Sequence, residues 1–316
     1  MADVILQVEH LKKYFSSGGG ILHAVDDVSF TLERGKTLGV VGESGCGKST
    51  LGRTILRLIE PTSGKVLFDG VDVASLRRGP LRKARKDMQI IFQDPFSSLD
   101  PRKTVFQIIT ESITTQRLMT DRRQIEQRVL ELMDTVGLAE RLINTYPHEL
   151  DGGRRQRIGI ARALAMDPKF IVCDEPVSAL DVSIQAQILN LLRKLQRERG
   201  LTYMFITHDL AVVHHLADEI AVMYLGRIVE KAPAVELFEH PMHPYTQALL
   251  SAIPVPEIMP DRKRILLRGE ISSPIDPPDE CRFAKRCNRA CDRCHAGEPQ
   301  LTEVLPGHFV ACPFHD

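Results

Sequence analysis

Lys36 to Ile59 reads KTLGVVGESGCGKSTLGRTILRLI, and the order of its parts decides the fold. A short apolar run gives way to a glycine-rich turn, and the turn to an amphipathic segment with apolar residues three and four apart. Strand, loop and helix in that order, with Gly42 to Thr50 fitting G-x-x-x-x-G-K-[ST], is the arrangement that cradles phosphates. Gly42, Gly45 and Gly47 let successive backbone N–H groups, among them those of Ser44 and Cys46, turn toward phosphate oxygens. The following helix adds the positive end of its dipole, Lys48 reaches the outer phosphates, and Ser49, next to Thr50, is placed to ligate Mg²⁺. Cys46 reads as a small spacer.

Upstream, VILQVEHLKKYF (Val4–Phe15) alternates like an edge strand, and AVDDVSFTLERG (Ala24–Gly35) reads as another strand closed by a glycine turn. Downstream, MQIIF (Met88–Phe92) is a short strand, and helical periodicity dominates from about Lys103 to Asn144. KFIVCDEP, TYMFITHDL and EIAVMYLGRIVE then read as three strands, the first two separated by a helix over Asp181–Gly200. Strands alternating with helices predict a mostly parallel sheet covered on both faces, an α/β fold. Beyond Lys231 prolines thicken and periodicity fades. This places a cassette over 1–231, with a helical subdomain at about 95–165, and a tail over 232–316.

A second set of chemical groups stands at strand ends, where ligands gather in open parallel sheets. Asp174 suits a Mg²⁺ shell, and Glu175, next to it but pointing the other way, suits polarising a water. Gln93 follows another strand and is a candidate for touching both metal and helical insert. His208 follows a third. Alone, a Gln before a turn or a single His is usually structural, but the combination with the phosphate loop makes both functional candidates.

Bulk properties set limits. The chain has 316 residues, 43% apolar and 26% charged, with 41 Lys plus Arg against 41 Asp plus Glu. That balance leaves no overall field for holding nucleic acid or anionic lipid. No apolar run approaches the roughly 18–20 residues that span a bilayer, and MADVILQVEH has no signal-peptide character. The chain is therefore expected in the cytosol, with any membrane role supplied by a partner.

Phosphate loop, Gln93, LDGGRRQR, IVCDEPVSALD and THD, in this order, resemble the nucleotide-binding subunit of ATP-binding cassette transporters over roughly residues 3–250. The resemblance implies a RecA-like core, an antiparallel N-terminal β part and a helical subdomain. It also implies a dimer in which each ATP lies between one subunit's phosphate loop and the other's signature. It assigns catalysis to Lys48, Gln93, Glu175 and His208, Mg²⁺ to Ser49, Gln93 and Asp174, and adenine stacking to Phe15, with Tyr14 the alternative. Ser178 to Asp181 match the loop that crosses between sites. The signature here is Leu150-Asp151-Gly152-Gly153-Arg154, where the family usually has Leu-Ser-Gly-Gly-Gln. An ionised Asp151 repels a γ-phosphate that a Ser hydroxyl would bond; Arg154 could offset the charge, and the backbone N–H groups of Gly152 and Gly153 remain. The expectation is a heterodimer with a second, homologous ATPase, in which Asp151 weakens the opposite site.

LFEHPMHPYTQALLSAIP resembles the segment after the cassette in ATPases of the oligopeptide and dipeptide permease group, which includes nickel importers. IIFQDPFSSLDPR looks more like the second of that group's two ATPases. Of seven cysteines, Cys281, Cys287, Cys291, Cys294 and Cys312 crowd the last 36 residues as C-x5-C-x3-C-x2-C-x17-C. In a reducing compartment such crowding favours a metal site, a [4Fe–4S] cluster or tetrahedral zinc. Similar tails in the permease group imply Cys281, Cys287, Cys294 and Cys312 as [4Fe–4S] ligands, with Cys291 spare. His295, His308 and His315 read as surface residues.

Together these imply MgATP hydrolysis on the cytoplasmic face of the cell membrane. It would power uptake of di- or oligopeptides through two integral membrane permease subunits, with an extracytoplasmic peptide-binding protein acting indirectly; nickel or a metal chelate is the alternative cargo. Two other readings are weaker. A soluble cassette protein acting on ribosomes or DNA usually carries tandem cassettes or a long coiled coil, which are lacking here. An iron–sulfur redox protein that merely binds nucleotide leaves Glu175 and His208 unexplained.

Overall fold

The computed structural model describes residues 3–116, 118–253, 264–267, 269 and 273–314. In chain order the elements are β1 (Val4–Ser17), β2 (Gly20–Glu33), β3 (Thr37–Val41), α1 (Lys48–Ile55), β4 (Ser63–Phe68) and β5 (Val71–Asp72). Next come α2 (Arg78–Asp87), β6 (Met88–Ile91), α3 (Val105–Thr115), α4 (Arg122–Thr135), α5 (Gly152–Leu164), β7 (Phe170–Asp174) and α6 (Val182–Arg199). The chain ends with β8 (Thr202–Thr207), α7 (Leu210–Leu216), β9 (Glu219–Tyr224), β10 (Arg227–Pro233), α8 (Ala234–Glu239), α9 (Pro244–Ser251), β11 (Thr302–Leu305) and β12 (His308–Val310). Two compact units result: Met1–Ser75 with Phe205–Asp316, and Leu76–Met204. Among the described residues no helix is long and apolar enough to cross a membrane.

The first unit holds an antiparallel sheet in the order β2-β1-β4-β5. β1 therefore lies inside this sheet and is not the edge strand that its alternation suggested. Alternation reports one buried face and says nothing about how many neighbours a strand has. The outer edge of β2 is covered by the tail: His23 N–H donates to Pro274 O at 3.0 Å and Asp276 N–H to Ile21 O at 2.9 Å. An unpaired edge would otherwise invite association.

The other sheet of this unit runs β11-β12-β10-β9-β3-β8. β3 and β9 pair in parallel, Leu38 beside Glu219 through Val41 beside Val222. Both are buried on both faces, which explains their continuous apolar sequences. EIAVMYLGRIVE is two antiparallel strands, not one, joined at Leu225 and Gly226, whose φ values are 43° and 85°. Two consecutive left-handed residues make the tight hairpin turn that suits strand twist. Lys231, the expected end of the cassette, sits within β10 and pairs with Phe309 of β12, so the tail extends the same sheet.

In the second unit β6 and β7 pair in parallel. The helical stretch is α3, α4 and α5, packed through buried Ile108, Ile109, Ile113, Val129, Leu132 and Ile158. α3 starts on a capping box, Thr104 with Gln107, and α6 stops at Gly200 in the left-handed conformation.

Candidate functional site

In the first unit, the five residues of β3 are all buried and deliver the chain to Gly42. A Cβ at Gly42 would lie 2.2 Å from Met223 O, and one at Gly47 2.0 Å from Ala24 O, each at positive φ, 154° and 104°. No other residue fits at these two points. The Cys46 carbonyl accepts the Gly226 N–H at 2.8 Å, so the β9–β10 hairpin also grips the loop. Lys48 is 4% exposed and its Nζ donates to Gly42 O at 2.8 Å and Glu43 O at 2.9 Å. The loop thus folds round the ammonium, with Ser44 and Gly45 exposed at its crest and Ser49 and Thr50 half-buried on the first turn of α1. No side chain caps α1, whose N-cap is Gly47, so its first N–H groups are not taken by a capping oxygen. Burial pushes the Cys46 thiol up, with the Lys48 charge acting against it; this fits a spacer and not a nucleophile.

His208 is exposed just beyond β8, and Asp209 caps α7 by accepting the Ala211 N–H at 2.8 Å. Phe15, 36% exposed, carries Lys13 Nζ 4.6 Å above its ring. Tyr14 is committed elsewhere: it stacks on His23 with ring centroids 4.1 Å apart and donates its hydroxyl to Asp26. Of the two candidate aromatics, Phe15 alone presents an exposed ring.

In the second unit, β7 buries Asp174 completely and turns sharply at Glu175, whose φ is 46°. A left-handed non-glycine residue of this kind costs about 1–3 kcal/mol and clusters at functional sites. Gln93 Nε2 donates to Glu175 Oε2 at 2.8 Å, so two residues 82 positions apart meet, a pairing the sequence reading, which assigned Gln93 to metal and helical insert, did not name. Asp181 is the N-cap residue of α6 but makes no side-chain capping bond, and it is exposed.

The signature has a local explanation. Asp151 is the N-cap of α5, accepting the Arg154 N–H at 2.8 Å, while its second oxygen lies 3.4 Å from Arg154 Nε. Asp and Ser are about equally good caps, and the departure at Arg154 supplies the counter-charge. A Cβ at Gly153 would come within 2.7 Å of Ile184 Cγ2, and one at Gly152 within 3.1 Å of Leu180 Cδ2. The glycine pair therefore also serves close packing of α5, Gly153 on α6 and Gly152 on the turn before it. Arg155, next in line, is buried; its Nε donates to Pro147 O at 2.6 Å and its guanidinium lies 3.7 Å over the Phe96 ring. Sequence reading missed this anchor, since one arginine among three carries no spacing signal.

The five tail cysteines are all free thiols. Cys281 N–H donates to Cys294 O and Cys294 N–H to Cys291 O, both at 2.9 Å. Burial, aided by Cys294, Glu298 and Cys312, pushes the Cys281 thiol up to about 12. Burial also raises Cys294, with Cys291 and Cys287 adding, and Cys312, with Cys287 and Cys294 adding. Raised in this way the thiols are held in their neutral form, and ionising one makes ionising its neighbours harder. As placed, no three or more His, Cys, Asp or Glu side chains among the described residues form a metal-holding group.

The tail histidines divide. His295 is exposed beside Glu280, while His315 lies outside the described residues. His308, expected at the surface, is instead fully buried, its Nε2 2.8 Å from Glu230 Oε1. In HFVAC it alternates with Val310, which is also buried. That period of two is the signal that could have placed it inside.

Known proteins fit this geometry. The family described as ABC transporter matches residues 25–178, and the C-terminal region of oligopeptide/dipeptide transporters matches 229–294. A probable peptide ABC transporter ATP-binding protein of Sinorhizobium fredii is 52% identical over 99% of this chain and 90% of its own. An oligopeptide transport ATP-binding protein of Bacillus subtilis is 51% identical over 98% of this chain and 97% of its own. Among solved structures, the ATP-binding cassette MJ0796, in a dimeric post-hydrolysis state with ADP and Pi, aligns with a TM-score of 0.67 at 31% identity, covering 72% of this chain and 98% of that one. A cassette of the CbiONQ transporter complex from Clostridium perfringens aligns at 0.66 and 32%, covering 75% and 92%.

Proposed function

Because the chain belongs to the ATP-binding cassette transporter family, we propose that its residues divide the labour of MgATP hydrolysis in a peptide importer. It is the ATP-binding, ATP-hydrolysing subunit, and its C-terminal region is of the oligopeptide/dipeptide type. The observation that carries the catalytic reading is the Gln93–Glu175 hydrogen bond at the end of a buried strand bearing Asp174. In this reading Glu175 orients water for in-line attack on the γ-phosphorus, and the bond to the β–γ bridging oxygen breaks. Lys48 offsets the charge that develops, and His208 contacts the γ-phosphate. Ser49, Asp174 and Gln93 would hold Mg²⁺, which would supply charge neutralisation at the phosphates, while Phe15 would stack on adenine.

Such a subunit works as one of a pair, with the Asp151-Gly152-Gly153 turn and Asp181 serving the partner's nucleotide. We take the partner to be a second, homologous ATPase, since IIFQDPFSSLDPR resembles the second of two. Two integral membrane permease subunits complete the assembly, with an extracytoplasmic peptide-binding protein acting indirectly and this subunit on the cytoplasmic face of the membrane. Nickel or metal-chelate import is the alternative. In the tail, Cys281, Cys287, Cys294 and Cys312 are proposed to hold a [4Fe–4S] cluster, zinc being the alternative; the group would tie down a segment poor in apolar core. A broad absorption band near 400 nm in anaerobically purified protein supports the cluster, and zinc without that band refutes it.

The test of function is ATP turnover in the reconstituted complex with its binding protein. Oligopeptides should stimulate it and nickel chelates should not, and Glu175→Gln should lower it by about 10²–10⁴-fold while MgATP still binds. Stimulation by nickel chelates alone would reassign the cargo, and full turnover in the Glu175→Gln complex would remove Glu175 from the chemistry.

A further inference from the structure

The second residue of the phosphate loop is an acid, Glu43, in a loop whose ligand is polyanionic. Left uncompensated, its carboxylate would oppose binding. In the structure all three polar groups of Glu43 are engaged. Its carbonyl accepts Lys48 Nζ at 2.9 Å, its N–H donates to the Tyr245 hydroxyl at 2.9 Å, and its carboxylate takes both ends of the Arg286 guanidinium, at 2.8 and 3.1 Å. Two of these three partners come from the segment after the cassette, more than 200 residues away in sequence.

The partners are themselves fixed. Tyr245 is fully buried and Arg286 is 8% exposed. The Tyr245 ring lies 4.8 Å from that of Tyr224 and 5.4 Å from that of Phe283, and the Arg286 guanidinium stands 5.9 Å from the Tyr224 ring. A bidentate arginine–carboxylate pair fixes orientation as well as charge, and a buried aromatic frame keeps it from swinging into solvent.

We propose that Arg286 serves nucleotide binding through Glu43: it cancels the charge that Glu43 brings into the phosphate loop, while Tyr245 holds the backbone on which Lys48 rests. The proposal relies on reading Gly42–Thr50 as the ATP site, and it makes the tail part of that site's construction. A tail that only packed against the cassette would need no charge at this point. Electrostatic compensation makes a distinct demand, because removing the acid as well as the base must repair the damage.

The experiment uses the full-length chain in its assembled complex, with a fluorescent ATP analogue for binding and phosphate release for turnover. Arg286→Ala should raise KM for ATP by about tenfold and change kcat by less than about threefold, since the lost interaction acts on ground and transition state alike. Adding Glu43→Gln to Arg286→Ala should return KM to within about threefold of the unmodified value. Glu43→Gln alone, which leaves the tail in place, should bind nucleotide at least as tightly as the unmodified protein. A double variant as weak as Arg286→Ala, an Arg286→Ala variant with unchanged KM, or a tenfold loss in Glu43→Gln alone would each overturn the proposal. Should Arg286→Ala fail to fold, the last comparison still decides. Failure of the unmodified complex to bind the analogue would instead sink the ATP-site reading.

Discussion

Between Gly42 and Thr50 the chain is shaped by backbone: two glycines fit where no side chain could, and carbonyls hold the one ammonium. Beyond β10 it is shaped by buried charges. Arg282 reaches Asp26 and Leu225 O and bonds Glu298 at 3.2 Å, Arg286 grips Glu43, and His308 meets Glu230. The first region binds a ligand with few side chains and so tolerates little variation at those few. Among its described residues the second region relies on buried ion pairs, each costly to orphan, and leaves Arg286 Nε and His308 Nδ1 without a hydrogen bond. The loop should therefore fail by losing activity, and the tail by losing stability.

The sharpest way to break this contrast is a pair of substitutions. Lys48→Ala should lower turnover by at least about 10³-fold, while lowering stability by only about 1 kcal/mol, because losing two hydrogen bonds to loop carbonyls is offset by removing a buried charge. Arg282→Met should do the reverse. Asp26 keeps Tyr14, His23 and Arg227 but loses its closest cation, and removing one partner of a buried pair costs up to about 3 kcal/mol where compensation is partial. Burial alone would raise the Asp26 carboxyl; hydrogen bonds from Tyr14 and His23 and the charges of Arg282 and Arg227 overcome it and hold it at about 2, below the ordinary 3.8. A depressed acid stabilises above its unfolded value, so the penalty should appear in full above pH 4 and shrink as pH falls through about 2. Thermal or urea unfolding of both variants at pH 7 checks the pair. An Arg282→Met protein as stable as the unmodified one would end the comparison.

Histidine sharpens the same contrast at slightly smaller scale. His243 is buried and caps α9 by accepting the Tyr245 N–H on Nδ1 at 3.1 Å. Burial holds it down at about 4, from 6.5, with Glu230 acting the other way. Its folded value lies below its unfolded one, so protonation favours the unfolded chain. The associated stability is complete above pH 6.5, is lost progressively down to about pH 4, and then levels, for a total of about 3 kcal/mol. His243→Asn keeps a capping oxygen and removes the titration. Its unfolding free energy should be flatter over that interval; an unchanged slope would place the pH dependence elsewhere.

What could be read beforehand follows the same line. Gly42, Gly47 and Lys48 were legible because a loop built from backbone leaves a fixed spacing of glycines and one lysine. Asp174 and Glu175 were legible because a fully apolar strand announces its own end. The tail's cysteines were visible as a spacing, whereas Arg282 and Arg286, four apart between those same cysteines, were passed over. Their partners Asp26 and Glu43 lie about 250 residues away, and one-dimensional pattern carries nothing about such pairs. The hairpin at Leu225-Gly226 was missed because Leu is a poor advertisement for a left-handed turn; the glycine after it was the available clue.

The smallest effect concerns Asp151, where the two regions' rules meet in one residue. As an acid in a signature that faces nucleotide in this family, it reads as a defect; as the N-cap of α5 it is ordinary. Ser in its place would still accept the Arg154 N–H, and the ion pair forfeited joins side chains 61% and 49% exposed, a class of pair worth about 0–1 kcal/mol. Asp151→Ser should therefore alter stability by less than about 0.5 kcal/mol, and Asp151→Ala should cost about 1 kcal/mol through the lost cap. With one oxygen on the backbone and the other near Arg154, the charge is largely answered where it stands. Turnover of the assembled complex should change by less than about threefold in Asp151→Ser, and equally little when Arg154→Gln is added to restore the usual pattern. A rise of tenfold or more in either variant would mean that the carboxylate is felt by the partner's nucleotide after all. The two ATP sites of the dimer would then be unequal by virtue of this one side chain.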